Sequence, residues 1–110
     1  FFCLTFVSFC IYNTGVPYIH FVWDEVKNRR NQANHHVSFD EAQSAFFDEN
    51  ARVAHDPDHS DEEDRFNLLG ISRKLRLLLV CHCYRESEDQ IRIISARRAT
   101  PTEARQYRSN

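Results

Sequence analysis

Between positions 56 and 65 the chain gathers the carboxylates Asp56, Asp58, Asp61, Glu62, Glu63 and Asp64, the His59 imidazole and the Arg65 guanidinium. These are the group types that acid–base cleavage of a phosphodiester needs: a base for the attacking hydroxyl, an acid for the leaving oxygen, and cations for the charge that builds on phosphorus. Asp56, Asp58, Asp61 and Glu63 are also an oxygen-rich set of the kind a divalent metal takes, so spacing leaves a metal-dependent nuclease open beside a metal-free one. The run QIRIISARR at 90–98 adds three arginines on a strand-like segment. Strict alternation puts Ile91, Ile93, Ser95 and Arg97 on one face and Arg92, Ile94, Ala96 and Arg98 on the other. Each face then carries a guanidinium able to hold a phosphate bidentately. His35 and His36 supply further imidazoles, with a capping or surface role as the simpler alternative.

The elements that would position these groups are legible in outline. Residues 18–23 are β-branched and aromatic and predict a short strand with Trp23 in the core. Asp24 caps an exposed helix over 25–34 that opens with an acid and continues with Lys27, Arg29 and Arg30, as the helix dipole prefers. Ser38 and Glu41 make a capping box, and Phe39, Ala42, Ala45 and Phe46 give the apolar spacing of a second helix. A strand is expected at 51–55, a turn at Asp56-Pro57-Asp58, and strands at 65–71, 75–84 and 90–96, whose short polar connectors make an antiparallel meander. Thr100 and Glu103 form another capping box, with Pro101 at the first position of a short basic helix. The fold class is α+β: helices packed on a curved antiparallel sheet of about four strands, closed by a C-terminal helix.

Composition fits one globular domain, with 42% hydrophobic and 27% charged residues. The net charge of −2 conceals a division along the chain. Residues 1–39 carry three basic and two acidic groups, 40–64 one and ten, and 65–110 ten and four. A +6 segment follows a −9 segment, so the two are expected to fold side by side while the surplus arginines face a polyanion. Cys81 and Cys83 alternate to one strand face with His82 on the other. They read as buried thiols, since a lone C-x-C lacks the second ligand pair of a zinc site. Residues 1–12 contain no charge but are too few to span a bilayer. Residues 1–17 are expected to be an apolar extension, and 18–110 the working domain.

The segments WDEVK (23–27), HHVSFDEA (35–42), DPDHSDEEDRFNLLGIS (56–72) and IRIISARRATPTEARQY (91–107) resemble the BrnT family. Members of that family are toxins of type II toxin–antitoxin pairs. The resemblance implies a RelE-like fold and a cytoplasmic endoribonuclease that cuts RNA without a metal ion or other cofactor, inhibiting translation and growth. It further implies neutralisation by a BrnA-type ribbon-helix-helix antitoxin, which brings the pair to operator DNA and represses the operon; no membrane is involved. Carried over residue by residue, it marks Lys27, His35, Glu63, Arg65 and Arg97 as catalytic, with Arg65 and Arg97 on the scissile phosphate. Arg92, Arg98 and Tyr107 become RNA-binding candidates, Tyr107 having packing on the last helix as its alternative. Where the family reads Lys-His-Gly, this chain has Asn34-His35-His36, so a side chain must occupy the turn between the helices, at a backbone geometry favoured by glycine. A catalytically decayed antitoxin-binding module is the remaining alternative.

Overall fold

A computed structural model describes residues 6–11, 19–57, 63–85 and 89–109. In chain order the elements are β1 (Phe6–Ile11), β2 (Ile19–Asp24), α1 (Glu25–His35), α2 (Phe39–Ser44) running into a 3-10 turn (Ala45–Phe47), β3 (Arg52–Asp56), β4 (Arg65–Ile71), β5 (Leu77–Arg85), β6 (Gln90–Arg98) and α3 (Pro101–Arg108). The α+β class expected from the sequence holds, and the C-terminal helix is present. The strand count differs: six strands form one sheet in the order β1-β2-β6-β5-β4-β3. Nor is it wholly antiparallel, because β2 and β6 run parallel through His20↔Gln90, Phe21↔Ile91 and Val22↔Arg92. The cause is topological. Helices α1 and α2 carry the chain across to the far edge, the meander β3–β6 returns, and its last strand meets the open side of β2.

Local chemistry explains most boundaries. The Asp24 side chain accepts from the Val26 N–H at 2.9 Å to start α1. His36 ends it at φ 61°, and its N–H donates to the Gln32 carbonyl, so this residue adopts the left-handed conformation expected for the turn. Thr100 and Glu103 exchange both capping-box bonds, and Pro101 opens α3. The Ser38–Glu41 box is half made. Ser38 caps the Glu41 N–H at 3.0 Å, but the Glu41 carboxylate turns inward to Arg76 and Ser72. β5 begins two residues later than expected, because Leu75 takes φ 63° in the preceding turn.

The core lies between the helices and one face of the sheet: Phe21, Trp23, Val37, Phe39, Ala42, Ala45, Leu68, Leu78, Val80, Ile91, Ile93 and Ala96. Trp23 is 2% exposed, as the sequence predicts. Gly70 permits the close approach of the 3-10 turn, since a Cβ there would lie 2.8 Å from the Ala45 carbonyl oxygen. His82, on the face opposite Cys81 and Cys83, is fully buried against Phe46 and Phe66. Its Nδ1 lies 3.1 Å from the Val80 carbonyl oxygen and its Nε2 3.3 Å from the Tyr84 hydroxyl. Burial pushes its pKa down to about 4, against the opposing pull of the Val80 carbonyl.

Acidic and basic segments do fold together. Asp40 pairs with Arg73 at 2.6 Å, Glu41 with Arg76, and Glu63 with Arg92 at 3.5 Å, each pair joining 40–64 to 65–110. Burial raises the Glu41 pKa, but hydrogen bonds from Arg76 and Ser72 outweigh it and hold the carboxyl below its ordinary value. Among the described residues no helix is long and apolar enough to cross a membrane.

Candidate active site

Helix α1 has almost no apolar stripe, yet it is fastened to the sheet. Asn31, 7% exposed, donates through Nδ2 to the carbonyl oxygens of Val37 and Ala96, both at 2.8 Å, and its Oδ1 accepts from the Ala96 N–H at 3.2 Å. Asn28 accepts from the Phe39 N–H at 2.9 Å and donates to Glu25. The helix read as exposed therefore buries two amides, because backbone groups of β6 and the interhelical link need partners in the interior. One turn beyond Asn31 lies His35; next to Ala96 lies Arg97. A single side chain thus ties the two residues to one frame.

A bulge sets the direction of the arginines. Cys81 pairs with Ser95 but His82 pairs with Ile93, which leaves Ile94 without an opposite residue. The extra residue resets the alternation. Ile91, Ile93 and Ala96 all enter the core, while Ser95 and Arg97 turn to the open face. Strict alternation in the sequence had set Ile93 and Ala96 on opposite faces, and the bulge corrects it. Arg97 is then braced by Glu103, whose two oxygens accept from Nη1 and Nη2 at 2.9 Å each. The Arg97 hydrogen bonds hold Glu103 below the ordinary carboxylate range, so it stays ionised. That end-on pairing leaves the Nε edge of the guanidinium, two parallel N–H groups, for an oxyanion.

On the open face a cleft of about 520 Å³ is lined by His35, Asp56, Arg65, Asn67, Cys81, Ser95 and Arg97, among others. His35 comes from the end of α1, Asp56 from β3, Arg65 from β4 and Arg97 from β6. Asp56 and Arg65 are direct partners across the β3–β4 ladder. A neighbouring groove of about 260 Å³, lined by Lys27, Arg30, Asn34 and His35, shares His35, Ile94 and Ser95 with the cleft. Burial pushes the Cys81 thiol up, with Arg65 opposing, so this cleft thiol stays protonated.

Of the residues singled out in the sequence, the structure brings His35, Arg65 and Arg97 to one cleft, with Lys27 in the adjoining groove. Glu63 does not line that cleft; it faces Arg92. Arg98 is exposed at the end of β6 and lines neither space. The Tyr107 hydroxyl donates to Asp48 at 2.5 Å, tethering α3 to the loop before β3. Cys81 and Cys83 are free thiols. Asp58, His59 and Asp61 lie outside the described residues. Among the described residues no three His, Cys, Asp or Glu side chains form a metal-ligand set. Sequence reasoning missed Asn31 and named Asp56 among the carboxylates of 56–65 without singling it out from them. The available signal for the first was two asparagines, three apart, in a helix that lacks other residues to face the core.

Residues 23–103 match a family model described as "Ribonuclease toxin, BrnT, of type II toxin-antitoxin system". No curated protein matches the chain.

Proposed function

The chain belongs to the BrnT family of ribonuclease toxins of type II toxin–antitoxin systems, and from that premise we propose that it is a metal-independent endoribonuclease whose working site is the open-face cleft. One observation carries the reading: His35, Arg65 and Arg97, from three separate elements, line the same cleft. Two guanidiniums suit a phosphodiester, neutralising its charge in the ground state and the added charge of the pentacoordinate state. The cleft also supplies an imidazole and a carboxylate, His35 and Asp56. One takes the proton of the 2′-hydroxyl as that oxygen attacks phosphorus; the other gives a proton to the departing 5′-oxygen, leaving a cyclic phosphate and a 5′-hydroxyl. Lys27 and Arg30 add positive potential where the RNA backbone continues into the next groove. Glu63 serves as counter-ion to Arg92, which with Arg98 contacts RNA further along.

The partner in this reading is a BrnA-type ribbon-helix-helix antitoxin that covers the cleft. DNA is reached only through the toxin–antitoxin complex, which represses its own operon, and RNA cleavage in the cytoplasm stops translation. Residues 18–110 form the working domain. Purified protein incubated with RNA in excess chelator tests the nuclease reading. Cleavage that survives chelation and disappears in Arg97→Ala and Arg65→Ala is the expected result. Cleavage abolished by chelator points to a metal-dependent nuclease, and no cleavage beside tight antitoxin binding points to a decayed module.

A further inference from the structure

Next to the cleft lies a second pocket, of about 510 Å³, between β3, β4, β5 and α3, whose lining includes Ala54, Leu69, Leu79, Asn67 and Gln106. We propose that it is a nucleobase subsite, reading the base beside the phosphate held in the cleft. The inference rests on the nuclease reading above and extends it to specificity.

Three observations support it. First, the two spaces are continuous, since Asn67, Leu79 and Arg97 line both. A phosphate held by Arg97 therefore stands where the two spaces meet, with the second pocket beside it for an attached nucleoside. Second, the surfaces differ in chemistry. Beyond the residues they share, the cleft has His35, Asp56 and Arg65, whereas the second pocket has Val53, Ala54 and Leu69, which with the shared Leu79 make an aliphatic surface that a flat base covers well. Its Arg52 guanidinium is directed to the Ser109 carbonyl, bridging β3 to the end of α3. Third, Asn67 and Gln106 each present an amide, one donor face and one acceptor, which is the side-chain type that reads base edges. Gln106 is exposed on α3, so it can turn toward a ligand without breaking packing.

The test compares cleavage of an RNA pool randomised around the cut site by the wild-type protein and by Gln106→Ala, with product ends mapped. Wild type is expected to prefer one base at a position flanking the cut. In Gln106→Ala the ratio of kcat/KM between best and worst base at that position falls about tenfold, the weight of one amide–base contact. A second variant, Ala54→Trp, covers that aliphatic surface and is expected to lose the same preference. Unchanged base ratios in both variants overturn the proposal. If the wild type cleaves nothing, the nuclease reading has failed, and binding of 2′-O-methyl oligonucleotides decides the subsite separately. Base-dependent affinity that is lost in Gln106→Ala sustains it, and base-independent affinity ends it.

Discussion

The two faces of the sheet treat charge in opposite ways. Toward the helices, Arg76 donates to Glu41, which is fully buried and also accepts from Ser72 at 2.7 Å; Asn28, Asn31 and His82 are likewise hydrogen-bonded inside. On the open face, Arg65 and Arg97 border a cleft, and Arg97 is braced on one edge and available on the other. The residue type is the same, and in each case a carboxylate takes one edge, Glu41 the Nε–Nη2 edge of Arg76 and Glu103 the two Nη groups of Arg97; what differs is what else the guanidinium meets, the His36 carbonyl for Arg76 and the cleft for Arg97. The Glu41–Arg76 pair fastens the helix side, and on the open face Arg65 and Arg97 line a cleft.

Substitutions can break this contrast, and the largest effect is expected on the helix side. Glu41→Ala removes the buried acceptor of two bonds from the partly exposed Arg76 and of one from Ser72, and should lower stability by about 3–4 kcal/mol, read from urea unfolding. A shift under about 1 kcal/mol would show that the pair is not structural. On the other face, Arg97→Ala should reduce RNA cleavage about 10²–10³-fold, or about 3–4 kcal/mol of barrier. Its stability should move by less than about 1 kcal/mol, because the pair with Glu103 is partly exposed. Equal losses of activity and stability would erase the distinction between the faces.

Acid offers a third test. His82 is held neutral with a folded pKa of about 4 against 6.5 ordinarily, so the unfolded chain takes the proton first as pH falls. Its contribution to stability is whole above pH 6.5 and is lost progressively down to about pH 4, amounting to about 3 kcal/mol. In His82→Phe that slope should vanish; a wild-type curve flat across the window would refute the assignment. The smallest effect is expected at Tyr107. Tyr107→Phe removes one hydrogen bond to Asp48 and should cost about 1 kcal/mol while leaving RNA affinity unchanged. Weakened RNA binding would instead support the RNA-binding role that the resemblance implies for this residue.

Local signals were the readable part of the fold. Asp24, Ser38 and Thr100 cap helices because their short oxygens reach N–H groups two or three residues on, an interaction contained within a few residues of chain. Burial of Trp23 and the opposite facing of Cys81 and His82 follow from strand composition and alternation. What escaped was contact over long separation. Nothing near Asn31 announces that its amide will meet Ala96, 65 residues away. The parallel meeting of β2 with β6 depends on where a four-strand meander ends. The bulge at Ile94 shows only when two strands are paired, and an alternation count passes straight through it.

For the site, the sequence by itself determined the inventory: two arginines, an imidazole, acids and a basic C-terminal half, in an order similar to a known toxin family. It also implied that the acidic and basic segments would meet, since charges of −9 and +6 next to each other in one small domain attract. Tertiary structure decided which members of the inventory line one cleft. It grouped Asp56 with His35, Arg65 and Arg97, and set Glu63 against Arg92 instead. The reason is physical: a side chain's type is local, but its neighbours depend on sheet register, and one extra residue in β6 turned Ser95 and Arg97 away from the core.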